Sequence, residues 1–475
     1  MSERQPGQDP ARIGERAVVV GASMAGLCAA RVLSERFAEV VVLDQDSLPD
    51  GADWRAQVPQ GRHPHLLLNA GTRLLERWFP GLADELEAGG AVDLDISGDF
   101  YWHQQGGVFR RPPSPLHSPA MSRPYLEWTV RRRLAARPNV AIRSETATVG
   151  LVTDDANTRV QGVLLADGTE LSGDLVVDAS GRQARTLPWV EALGYEPPRT
   201  SVVEVQTRYV TRVYRRHAEP ARDWKAAAIV GPPESKRLAM TLPAEGERWI
   251  VLLGGVNGEV APTDDAGMLE FARSFESPVI ADVIASSEPL GAPVIHRFPA
   301  SQRRHVEKLR RFPLGWVLLG DAVSSFNPIY GQGMTSAALQ AEALGAALDR
   351  AGGVTRAFSR RYFKVASKTV AAPWSIAVGG DFVYEGTTGK KPPGTDVLNR
   401  YMDRVNVAAQ HDDAVALRVN EVISLVRGPG SLLTPAFVLR VLRSGRRARA
   451  RSVSLDTSAG SRTSSAATGG VRTGT

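Results

Sequence analysis

Arg16-Ala-Val-Val-Val20-Gly21-Ala-Ser23-Met24-Ala25-Gly26, followed some fifteen residues later by Val40-Val-Val-Leu43-Asp44, decides the fold. A short apolar run meets a glycine turn, and a helical pattern from Ala25 to Phe37 leads into a second apolar run that ends on an acid. This is a βαβ unit. The glycines let the turn approach a pyrophosphate, the helix N-terminus offers free N–H groups and dipole, and the acid reaches a ribose hydroxyl. Ser23 stands where a middle glycine is usual, and the pattern alone does not separate NAD from FAD. Cys28, one turn into the helix, reads as a small core residue.

Outward from that unit, periodicity predicts helices over Leu66–Phe79, Leu82–Ala88, Arg123–Ala136, Met334–Leu348, Val354–Val370 and Val397–Leu425. Alternating runs at Ser201–Tyr214, Arg237–Leu242 and Trp249–Leu253 predict an antiparallel sheet, with helices beside it between Met268 and Ile284. The chain has 475 residues with ordinary apolar and charged content, enough for two or three domains. One cysteine precludes an internal disulfide, and Met1–Arg16 is too polar for a signal peptide, so a cytoplasmic location is expected. The uncharged stretch Ala322–Ala341 contains Asn327-Pro328 and three residues Gly331-Gln-Gly333, and reads as a loop entering a helix rather than a membrane span. The net charge of +6 resides in residues 443–475, with seven arginines and one acid, so the body gives no electrostatic reason to bind nucleic acid. That tail reads as a disordered extension. Because Phe437, Val438, Leu439, Val441 and Leu442 precede it, weak membrane association is the alternative.

A second pair of motifs lies about three hundred residues downstream: Trp316-Val-Leu-Leu-Gly320-Asp321, then Asn327-Pro328-Ile-Tyr-Gly331-Gln332-Gly333-Met334 opening a helix. A carboxylate accepts hydroxyl hydrogen bonds, and glycines let backbone N–H groups approach a ligand closely. With the first unit, these motifs resemble the flavoprotein monooxygenases of the aromatic-hydroxylase superfamily. The resemblance implies FAD as cofactor, Asp321 on the ribityl chain and the glycine loop beside the flavin ring. It implies an α/β fold: a Rossmann-like FAD domain in two parts (14–190 and 299–372), an antiparallel-sheet substrate domain (191–298), a helical region (373–444) and the basic tail (445–475). Further matches are Arg55, placed as a pyrophosphate contact, Arg123 opening the helix beside FAD, and the Asp178-Ala-Ser-Gly181-Arg182 segment. The implied cofactor set is Gly21, Ser23, Met24, Ala25, Gly26, Asp44, Gln45, Arg55, Arg123, Asp178, Gly320, Asp321, Pro328, Gly331, Gln332, Gly333 and Met334.

Val58-Pro-Gln60-Gly-Arg62-His63-Pro-His65 is similar to bacterial epoxidases of polyether (lasalocid- and monensin-type) polyenes. This implies transfer of one oxygen of O2, through a peroxide on flavin C4a, to an apolar, polyketide-derived alkene. Electrons would come from NAD(P)H, directly or through a separate flavin reductase. Gln60, His63 and His65 are then expected to line the flavin site, with loop structure second and metal ligation a distant third for want of a third ligand. Tyr209, Trp224, Met240 and Trp249 are candidates for apolar substrate walls, with core packing the more common fate for any one of them. No single acid–base residue stands out. A phenol, indole or terpenoid hydroxylase, an FAD-dependent dehydrogenase or reductase that never activates O2, and a non-catalytic flavoprotein remain open. The Trp-x-Trp-x-Ile-Pro signature of halogenases, a second glycine-rich βαβ unit, and hydrolase and NTPase motifs are absent from the sequence.

Overall fold

The computed structural model describes residues 12–217 and 222–445. Strand β1 (Gly14–Val20), helix α1 (Met24–Leu33) and strand β2 (Phe37–Leu43) form the opening βαβ unit. Helix α1 ends at Leu33 and Phe37 starts the next strand, so the expected helix end was four residues too late. Helix α2 (Asn69–Trp78) and strand β3 (Phe100–Gln104) precede helix α3 (Arg123–Ala135), strand β4 (Val140–Arg143) and strand β5 (Leu175–Asp178). The four strands β5–β1–β2–β4 pair in parallel in that order. Ala17, Val18, Val19, Val40, Val41 and Val42 are wholly buried, as strands covered on both faces require.

The chain then builds a large, mainly antiparallel sheet from β6 (Thr200–Arg215), β7 (Ala226–Val230), β8 (Arg237–Ala244) and β9 (Arg248–Gly255). Helices α4 (Asp265–Arg273) and α5 (Val279–Ser286) cover one face, packing Met268, Phe271, Ile280 and Val283 against Trp249, Val251 and Leu253. Strand β10 (Val294–Arg304) pairs with β6, and the order β10–β6–β9–β8–β7–β3 follows, with β3 joining β7 in parallel. Strands β7 and β10 were not expected from the pattern, and β10 runs straight across the expected join at residues 298 and 299.

Strand β11 (Trp316–Leu318) returns to pair with β5 as fifth strand of the parallel sheet. Helix α6 (Gly333–Ala351) packs on α1, and helix α7 (Arg356–Asp381) continues eleven residues past the expected end at Val370. The single helix expected over 397–425 is two, α8 (Thr395–Ala409) and α9 (Asp413–Ile423). Asp412 breaks it by accepting the N–H groups of Ala414 and Val415 at 3.0 and 3.2 Å, an N-cap that starts a new helix. Among the described residues, no helix is long and apolar enough to cross a membrane. Phe437 and Val441 are buried against α8 and α9, whereas Leu439 and Leu442 are exposed; the tail from 446 onward lies outside the described residues.

Candidate flavin and substrate cleft

A cleft of about 620 Å3 runs from the C-terminal edge of the parallel sheet to the uncovered face of the antiparallel sheet. Its first end is the glycine turn. Gly21 sits at φ +106°, and a Cβ there would lie 2.6 Å from the Ala179 carbonyl oxygen, so only glycine fits. A Cβ on Gly26 would lie 1.7 Å from the Gly21 carbonyl oxygen. Gly26 therefore serves close helix–strand packing and does not face the cleft.

Asp44 directly follows β2 at the cleft wall, and its Oδ2 accepts the Ala22 N–H at 2.7 Å and Arg55 at 3.2 Å. The first-turn donor of α1 has an unexpected partner. Glu127 of α3, 4% exposed, accepts the Met24 N–H at 3.1 Å, the Ser23 hydroxyl at 2.5 Å and Arg123 at 3.1 Å, with Arg55 at 3.3 Å on its other oxygen. Burial opposes the charge, but the Arg123 and Arg55 guanidiniums and the hydrogen bonds hold the Glu127 carboxyl down at about 2. Glu127 was not legible in the sequence, where an acid inside an Arg-rich helix reads as solvated. Arg55 bridges Asp44 and Glu127 and does not line the cleft. Arg123 does line it, donating to Ser23 Oγ at 2.7 Å and to His65 Nε2 at 3.3 Å.

The middle motif plays a different part from the expected one. Asp178 is fully buried and accepts from the N–H and hydroxyl of both Ser180 and Thr186, between 2.6 and 2.9 Å. It shapes the turn after β5, and Ala179–Gln183 and Arg185, not Asp178, form the wall. Arg182 there donates to the Ala300 carbonyl at 2.5 Å and to Ser325 Oγ at 2.8 Å. Gln45 lines the same wall, held by Arg185.

Gly320 points away from the cleft, its Cβ position 2.7 Å from Ala25 Cβ and its N–H bonded to Gln340 Oε1 at 3.0 Å. Asp321 points in. Burial raises its carboxyl and the Arg123 and Arg182 charges partly offset that, and among the described residues it has no hydrogen-bond partner. Pro328, Gly331, Gly333 and Met334 follow along the wall beside Ser23, Met24 and Ala25. Gly331 has φ +66° with open space at its Cβ position. Gln332 is buried and turned toward the Ile423 carbonyl, 3.4 Å away, so it ties the loop to α9 instead of facing the cleft.

Strand register sorts the substrate side. Tyr209 opposes Gly254 and His296, Thr211 opposes Leu252, and Met240 opposes Leu252, so these residues share one face. Tyr209, Leu238, Met240, Leu242, Leu252 and His296 line the cleft. Trp249 opposes Tyr214 on the other face, in the core under α4 and α5, and Trp224 packs there with it. Trp249 and Trp224 are therefore core residues, not cleft walls. Gln60 and His65 line the cleft, while His63 lies behind, its Nδ1 2.7 Å from Thr211 Oγ1 and its ring 4.8 Å from Tyr209 and 5.2 Å from His296. Burial first, then neighbouring positive groups, pushes His63 and His65 down to about 3; burial also lowers His296. All three imidazoles are neutral at neutral pH. Among the described residues, no group of three or more His, Cys, Asp or Glu side chains is placed to hold a metal. Cys28 is buried, and burial pushes its thiol up to about 12, as a packing residue would have it.

This cleft fits FAD. It offers a glycine turn and a helix N-terminus at one end, an unpartnered carboxylate midway, and an open glycine loop at the other, in the order of the diphosphate, ribityl chain and ring. The FAD binding domain family matches residues 15–352. Protein Rv3254 of Mycobacterium tuberculosis is 34% identical over 395 residues, 80% of this chain and 82% of that protein. An FAD-dependent urate hydroxylase of Klebsiella pneumoniae is 29% identical over 187 residues, 39% of this chain and 45% of the hydroxylase. Among solved structures, the flavin-dependent brominase Bmp2 superposes with a TM-score of 0.65 at 14% identity, covering 91% of this chain and 99% of its own, a likeness of fold. The chain belongs to the FAD binding domain family, and its cofactor is FAD.

Proposed function

We propose that this protein is an FAD-dependent monooxygenase that transfers one oxygen atom of O2 to a large apolar small molecule, with an alkene or polyene of polyketide type as the preferred acceptor. The observation that carries the reading is the continuity of one cleft from the glycine turn to an apolar sheet face made by Leu238, Met240, Leu242 and Leu252. Bound FAD would supply the redox and O2 chemistry. The chain's own residues bind the dinucleotide through Asp44, Arg123 and Asp321, and orient the acceptor against the sheet. The apolar wall excludes water, which protects a reactive oxygen donor from side reactions. Electrons would come from NAD(P)H, directly or through a separate flavin reductase.

A second reading, hydroxylation of a phenol or indole, is favoured by one specific feature. His296 and Tyr209 face the cleft together, and a neutral imidazole is competent to take a substrate proton. Sequence reasoning missed His296 because a lone histidine between Ile295 and Arg297 carries no local signal.

The test is product analysis under labelled O2 with FAD, NADPH and a flavin reductase, offering a linear polyene beside a phenol and an indole. A singly labelled epoxide is expected. A labelled phenol or indole product would replace the first reading by the second. Substrate-dependent flavin turnover without O2 consumption would make the protein a dehydrogenase or reductase and overturn both.

A further inference from the structure

Behind the glycine loop lies a buried carboxyl that neither the sequence pattern nor the flavin site accounts for. Asp381, the last residue of α7, is wholly buried. Its Oδ1 accepts from Asn327 Nδ2 at 2.8 Å and from the Tyr330 hydroxyl at 3.2 Å. Ser301 of β10 stands 3.5 Å from Oδ2, and Ser301 Oγ in turn accepts the Asn327 backbone N–H at 3.0 Å. The packing leaves no slack, because a Cβ on Gly380 would lie 2.2 Å from the Tyr330 hydroxyl. Asn327 and Tyr330 bracket Pro328 and Ile329, and all four line the cleft with Gly331.

We infer that Asp381 is a positioning residue: it clamps the Asn327–Gly331 loop from behind, and taking up or losing its proton tightens or loosens the loop's hold on FAD. The inference rests on the flavin lying beside this loop. Two donors share Oδ1, while among the described residues Oδ2 has only the Ser301 hydroxyl, 3.5 Å away, so a charge on that oxygen is poorly satisfied and a proton there is accommodated. Asp381 forms no ion pair among the described residues. The titratable groups facing it are the phenols of Tyr330 and Tyr384, both pushed up by burial, Tyr384 to about 12, and so neutral. Ser301 and Asn327 complete the shell without charge. Burial pushes the Asp381 carboxyl up to about 7, against the smaller opposing pull of its hydrogen bonds. Above that pH a negative charge would be enclosed with no cation, and the loop would have to open to hydrate it. The closed loop therefore belongs to the neutral form.

FAD dissociation constants, read by flavin fluorescence quenching at about pH 5.5 and about pH 8.5, test this on either side of neutrality. Wild-type protein should bind several-fold tighter at the lower pH. Asp381→Asn keeps an acceptor for Asn327 and Tyr330 without the charge, and should bind tightly at both. Asp381→Leu removes the acceptor and should bind weakly at both. If that variant does not fold, the comparison of wild type with Asp381→Asn still decides. Identical pH profiles for those two would overturn the inference. Wild type that binds no FAD at either pH would instead sink the placing of the flavin. The thermal midpoint of flavin-free protein would then decide the clamp: Asp381→Asn should raise it at the higher pH only, and an equal effect at both would overturn it.

Discussion

Replacing Glu127 by glutamine should destabilise the flavin-free protein by about 3 kcal/mol at pH 7. The carboxylate is enclosed with the Arg55 and Arg123 side chains, which are 4% and 10% exposed, and its acid constant falls from the ordinary 4.5 to about 2. At about 1.4 kcal/mol for each tenfold change in proton affinity, that fall corresponds to about 3 kcal/mol of folding free energy. Breaking one partner out of a buried pair costs a similar amount, about 3–5 kcal/mol. Because the acid constant is depressed in the folded state, this stability is fully present above about pH 4.5 and disappears as the pH falls toward 2. Urea unfolding of wild type and Glu127→Gln, at neutral pH and at successively lower pH, measures the difference and its decline. FAD should recover more stability in the variant than in wild type, since its diphosphate returns negative charge to the α1 N-terminus. A variant within about 0.5 kcal/mol of wild type at pH 7 would mean that the buried cluster contributes nothing net, and the reasoning fails.

Gly331→Val should lower FAD affinity at least tenfold in an equilibrium titration, because a branched side chain at φ +66° is strained by about 1–2 kcal/mol and projects into the cleft. Trp249→Leu should cost about 2–4 kcal/mol in urea unfolding yet leave FAD stoichiometry unchanged; loss of FAD with stability intact would put Trp249 back in the cleft. His296→Gln should leave the single-turnover rate of alkene oxidation from pre-reduced enzyme flat across neutral pH, whereas a collapse of that rate would assign the imidazole a proton transfer and favour the hydroxylase reading.

The parts of this molecule that were legible in its sequence are those whose physics is local. The opening strand–turn–helix, Asp44, and the Asp321 and Gly331 segments each show their geometry within a dozen residues, and all of these reach the cleft. Gly26, Gly320 and Asp178 belong to the same motifs but work through packing and turn closure, which residue identity alone does not distinguish from ligand contact. Strand β10 escaped notice because Val294-Ile-His-Arg-Phe-Pro-Ala-Ser-Gln-Arg-Arg304 has no apolar alternation, one face meeting the cleft and the other largely exposed. Whether Trp249 is wall or core is a question of parity: one step along β9 exchanges cleft for core, and only the register with β6 settles which. Glu127 and Asp381 matter through partners 51 to 104 residues away, from Tyr330 for Asp381 to Ser23 for Glu127, and His296 through Tyr209 on another strand; such long-range pairs leave no mark on a single chain.

The most direct measurement is the flavin content of purified wild-type protein and of Asp321→Ala after incubation with FAD and gel filtration, read from visible absorbance. One flavin per wild-type chain is predicted, with a marked loss in Asp321→Ala, which removes a cleft-facing carboxyl group with no hydrogen-bond partner among the described residues. Folded wild-type protein that retains no flavin would contradict the assignment of this cleft.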